Sequence, residues 1–117
     1  MKNNVLAGGA LVAALFAASG ALTSHARADD AVSIELTLKG HAFTPAEPTA
    51  PAGKPLTITL TNMDPTPAEF ESKKLKFEKI VAAGGKITVN VRPLEAGRYK
   101  FVDDYHEDTS VGYVVVQ

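Results

Sequence analysis

The chain has 117 residues, with 12 Lys and Arg against 13 Asp and Glu, 3 His and no Cys. That near balance, with no basic patch, gives nucleic acid nothing to hold. The absence of cysteine excludes thiol nucleophiles, Cys-based zinc sites, haem attached through Cys, and any copper site that requires a thiolate.

Residues 1–28 read as a cleaved signal peptide. Lys2 supplies the positive start, Val5 to Leu22 is an apolar run, and Ala26-Arg27-Ala28 has the small-x-small form of a cleavage site. Gly8, Gly9, Ser19 and Gly20 dilute the run, which speaks against a retained membrane anchor. The expectation is a periplasmic chain beginning at Asp29, with no membrane insertion after cleavage. Without Lys2 and Arg27 its ten basic residues face thirteen acidic ones, a formal charge of −3. Residues 29–117 allow one core, and packing has to hold it without disulfides.

Val32, Ile34, Leu36 and Leu38 alternate with polar residues, as in a strand with one face on a core. Gly40 to Pro45 interrupts the alternation, and Pro45 to Pro55 reads as an extended connection with a turn at Ala52-Gly53-Lys54. Leu56, Ile58 and Leu60 alternate with threonines in a second strand ending at Asn62. The prolines at 65 and 67 make the next segment a loop. Glu69-Phe70-Glu71 then sets two carboxylates on one side of an extended piece and an aromatic on the other, while Ser72 to Glu78 is open to a helical turn. Ala83 to Lys86 turns into a strand carrying Ile87, Val89 and Val91, and Pro93 to Gly97 is a further turn. Short strands punctuated by Gly and Pro, with no long helix, predict an all-β antiparallel sandwich with Greek-key connections.

The last stretch, Tyr99 to Gln117, holds two apolar runs around an acidic segment. Tyr99, Phe101, Asp103 and Tyr105 share period-2 spacing, so a strand here carries a carboxylate on the face of its aromatics. Asp103 must therefore reach solvent at the strand end or meet a cation. His106 follows three residues later, and an Asp and a His at the mouth of a β fold suit a metal ion. Their bland alternatives are a solvated loop histidine and a carboxylate paired with lysine.

Phe43-x-Pro45, Pro51-Ala52-Gly53-Lys54-Pro55, Leu60-x-Asn62-x-Asp64, Pro93-Leu94-x-x-Gly97-x-Tyr99-x-Phe101 and Gly112-x-Val114-Val115-Val116 together resemble the cupredoxin-like domains. Thr66 to Ser72, with Leu75, Glu78-Lys79 and Gly84-Gly85, is similar to the small periplasmic members that accompany bacterial iron permeases (ferrous iron uptake systems). The resemblance implies a Greek-key sandwich with a metal site at one end. In blue copper members a Cys ends the penultimate strand, a His follows three residues later, a Met comes shortly after, and another His follows the Asn-containing loop. Here those positions hold Asp103, His106, a residue near Val111, and Ala68 beside Glu69. A type-1 blue copper centre is thereby excluded, and hard oxygen donors favour Fe(III), Fe(II) or Cu(II) over Cu(I).

The resulting candidate metal ligands are Asp103, His106, Glu69 and Glu71, with His41 and Met63 secondary. Glu69 and Glu71 also read as a charged outer strand face, and Met63 as packing. Asn62, Pro65 and Gly97 read as turn chemistry only. Three functions remain open: a metal-binding accessory of iron uptake that serves an inner-membrane iron permease, a copper-dependent ferroxidase, and a metal-free β-sandwich adaptor.

Overall fold

The computed structural model of the protein describes residues 30–117. The expected signal peptide and the cleavage position lie outside them.

The strands in chain order are β1 (Val32–Lys39), β2 (Ala42–Thr44), β3 (Thr49–Ala50), β4 (Leu56–Asn62), β5 (Ala68–Ser72), β6 (Phe77–Val81), β7 (Lys86–Val91), β8 (Gly97–Asp103) and β9 (Val111–Val116). They form two sheets, β2-β1-β4-β7 and β3-β9-β8-β5-β6. This is the two-sheet all-β sandwich that the alternation predicts. One detail of that expectation is corrected: β1 pairs parallel with β4, and β3 parallel with β9, whereas the other pairs are antiparallel. The parallel pairs arise because the chain leaves β1, crosses to the second sheet as β3, and returns to the first as β4.

The inward residues of the alternating strands make the core. Leu36, Leu38, Leu56, Ile58, Leu60, Phe70, Phe101 and Val114 are all 1% exposed or less. Phe101 packs edge-on against Phe43 and Phe70, with ring centroids 4.9 and 5.6 Å away, a geometry that sets ring edge against ring face. Two segments without clear alternation gain their structure from partners. The proline-rich connection lies along β9, where Ala46 O and Pro48 O accept from Tyr113 N and Val115 N at 2.9 and 2.8 Å. Prolines are tolerated on such an edge because they need donate nothing there. Residues 73–76 form the turn of a β5–β6 hairpin, so the alternative of a helical turn is set aside. Ser72 Oγ closes it, accepting from Leu75 N at 3.1 Å and donating to Lys100 O at 2.6 Å.

Candidate metal centre

β8 ends where its alternation still points inward, so Asp103 follows Phe101 into the sandwich and is 1% exposed. Three contacts hold it, and one acceptor site on Oδ2 is left over. Oδ1 accepts from Glu69 N at 3.0 Å and from Tyr105 N at 3.1 Å, while Oδ2 lies 2.9 Å from His106 Nδ1. The bond from Tyr105 N caps a single 3₁₀ turn over Asp104–His106. That cap answers the question of reach: an extended chain would carry His106 about 10 Å from Asp103, but the turn starts at once and folds the imidazole back. Tyr105 consequently leaves the inward face assigned to it by spacing, and is 48% exposed. Ser110 closes the loop, with its N–H donating to His106 O and its carbonyl accepting from Asp103 N at 2.9 and 3.0 Å.

His41 arrives from the other sheet. Gly40 and His41 both have φ +59° and form the two-residue turn between β1 and β2, so the interruption after Lys39 is a hairpin. The His41 ring stacks on that of His106 with centroids 4.0 Å apart and planes at 30°. One donor atom from each of His41, Asp103 and His106 falls within 4.8 Å of the others. Donors around a four-coordinate ion at about 2.0–2.2 Å stand about 3.5 Å apart, so this set is somewhat wider than a bound ion requires. The carboxylate is buried and the imidazoles are 43% and 35% exposed, leaving access from solvent.

Glu69 and Glu71 do not join this group. β5 buries Ala68, Phe70 and Ser72, so its glutamates face outward, where their carboxylates and that of Asp104 make a second cluster within 4.8 Å. Glu69 reaches the first group only through its backbone N–H. A hydrogen bond shared with Glu78, partial burial, and the charges of Glu78, Asp104 and Glu71 push its carboxyl up to about 7. Burial and the charge of Asp104 also raise Glu71. Tyr105, whose hydroxyl bonds to Glu69, is raised by desolvation first and by that carboxylate second. Met63 lies after β4 with its side chain 54% exposed and its N–H donating to Leu38 O at 2.7 Å.

Sequence reasoning gave Asn62 only a turn role and Asp64 no role beyond the shared motif, yet they are 0% and 7% exposed. Asp64 Oδ1 accepts from Gly40 N at 2.6 Å and Oδ2 from His41 N at 2.9 Å. Those bonds hold its carboxyl below the ordinary value against the opposing effect of burial. Asn62 Oδ1 in turn accepts from Asp64 N at 3.0 Å, and Asn62 Nδ2 donates to Thr66 O at 2.8 Å. The available signal was an Asn-x-Asp pair ending a clean strand opposite a Gly-His turn.

The family described as cupredoxin-like domain matches residues 10–116. The chain belongs to the cupredoxin-like family. An uncharacterized protein of Rickettsia prowazekii (strain Madrid E) is 34% identical over 88 residues, covering 75% of this chain and 70% of that one. Among solved structures, this cupredoxin-like chain is similar to the metal binding domain of the Streptococcus pneumoniae D39 Cu(I) exporting P-type ATPase CopA with Cu(I). The TM-score is 0.65 at 18% identity, over 73% of this chain and 84% of that one. It is also similar to auracyanin A, a blue copper protein from Chloroflexus aurantiacus, with TM-score 0.62 at 19% identity over 74% and 98% of the two chains. At such identities the likeness is one of fold.

A type-1 copper centre does not fit this cupredoxin-like protein, because its sequence has no thiolate. An oxygen and nitrogen site is chemically compatible with the residues present, and His41, Asp103 and His106 are the candidate donors. No helix among the described residues is long and apolar enough to cross a membrane.

Proposed function

We propose that this cupredoxin-like protein is an exported metal-binding accessory of iron uptake, holding iron or copper through Asp103, His106 and His41 and serving an inner-membrane iron permease. The observation that carries the metal reading is the convergence of three donor atoms within 4.8 Å at one end of the sandwich. A carboxylate where relatives place a thiolate shifts preference toward Fe(II), Fe(III) or Cu(II). The periplasmic location rests on the leader-like residues 1–28, and the iron context on the motif resemblance from Thr66 to Gly85.

The test is a titration of metal-free protein with Cu(II), Fe(II), Fe(III) and Mn(II). Asp103→Asn and His106→Ala are each expected to weaken the tightest-bound ion about 10-fold or more, and Glu107→Ala much less. Asn is the better replacement, because Asp103→Ala would leave the partly buried N–H groups of Glu69 and Tyr105 without their acceptor. Equal and negligible losses in all three variants would place the metal elsewhere.

One observation favours a second reading. Asp103 already accepts three hydrogen bonds, so the Asp103–His106 pair is complete without an ion. In that reading the pair is structural and the protein is a metal-free adaptor, which predicts no metal retained after dialysis.

A further inference from the structure

His41 occupies an unfavourable backbone position. A two-residue hairpin turn with both central φ angles positive accepts glycine or asparagine readily, whereas histidine, commoner there than most side chains, still carries the Cβ cost of the left-handed region. The turn places Gly at the first position and His at the second, both at φ +59°. Such an outlier persists where its surroundings over-determine it. Here the determinant is a buried carboxylate from a distant strand end. Asp64 accepts from both turn N–H groups and sits 3.7 Å from His41 Nδ1, while Ser110 Oγ donates to His41 O at 2.5 Å. Asn62 fixes Asp64 in turn through Asp64 N.

We infer that Asp64 is the positioning residue of His41, locking the left-handed turn and orienting the imidazole toward His106 and Asp103. The inference rests on the metal-binding reading above. A carboxylate hydrogen-bonded to the non-ligating nitrogen of a metal-bound histidine fixes ring orientation and raises its basicity. Asp64 holds the backbone directly and stands 3.7 Å from the ring nitrogen, an electrostatic contact outside hydrogen-bond distance.

The decisive experiment is a Cu(II) titration of the metal-free full chain, followed by electron paramagnetic resonance, for wild type, His41→Gly, Asp64→Asn and the double variant. Glycine relieves the left-handed turn, so His41→Gly is expected to raise the unfolding midpoint of the metal-free protein. It is also expected to weaken Cu(II) binding about 10-fold or more and to lower the imidazole nitrogen count from two to one. Asp64→Asn is expected to weaken binding in the wild-type background and to change it little in the His41→Gly background. A merely structural role would weaken both backgrounds alike. The glycine background tolerates the turn unaided, which keeps that comparison measurable. Unchanged affinity and nitrogen count in His41→Gly, or equal losses from Asp64→Asn in both backgrounds, would overturn the inference while leaving Asp103 and His106 as the centre. A wild-type chain that binds neither Cu(II) nor, in the same titration, Fe(II) or Fe(III) would overturn the inference and the metal-binding reading together.

Discussion

Two acidic residues, tied by a hydrogen bond from the backbone N–H of one to the carboxylate of the other, meet opposite fates in this protein. Asp103 is buried but surrounded by donors, so its charge is compensated where it stands. Glu69, whose N–H supplies one of those donors, sends its own side chain into the company of Glu78, Glu71 and Asp104 and is pushed up to about 7 from an ordinary 4.5. Between those values the folded chain holds a proton at Glu69 that the unfolded chain has lost. Stability therefore falls as pH rises across that window, and this contribution flattens above it. The upward shift of Glu71 has the same sign. Thermal melts from about pH 5 to pH 8 are expected to show a declining midpoint, with a shallower slope in Glu69→Gln. An identical slope in the variant would show that Glu69 is not the group responsible.

At the scale of elements, the central strands were legible because each carries its own pattern: Ile34, Leu36, Leu38 in β1, Leu56, Ile58, Leu60 in β4, and Val89, Val91 in β7 all face the core as their alternation requires. β2 and β3 were not, because three and two residues carry too little periodicity and become strands only through their partners β1 and β9. β6 was obscured by Lys79, exposed at a position where alternation between Phe77 and Val81 points toward the core. A lysine there protects a sheet edge against pairing with another chain. β9 contains a glycine for a steric reason. A Cβ at Gly112 would collide with the ring of Phe101, which is 0% exposed and wedged between Phe43 and Phe70, and would come within 2.7 Å of Ala46 O. Gly112→Ala is expected to cost about 1–3 kcal/mol, read as a lower midpoint in denaturant. A neutral substitution would mean that the Phe101 ring can move aside.

Over the whole molecule, two of the three donors of the candidate centre could be read from one stretch, whereas the third was only a secondary candidate. Asp103 and His106 are three residues apart, and the carboxylate on an aromatic face gave them away. His41 lies 62 positions before Asp103 and comes near only because β1 and β8 end at the same pole of the sandwich, with Asp64 turning the hairpin tip inward. The placement of Glu69 and Glu71 followed from the alternation of β5, which the sequence already displayed: Ala68 and Phe70 inside require the glutamates outside. The result is two donor groups, one at the end of the sandwich and one on the outer face of the five-stranded sheet. The measurement that separates them most directly is paramagnetic broadening of backbone amide signals by nuclear magnetic resonance, as Cu(II) is added below one equivalent. Binding at the proposed centre predicts early loss of Gly40 to Ala42 and Asp103 to Ser110, with Glu71 and Glu78 still visible. Early loss of Glu71 and Glu78 with His41 still sharp, or no selective broadening at all, would contradict a centre built from His41, Asp103 and His106.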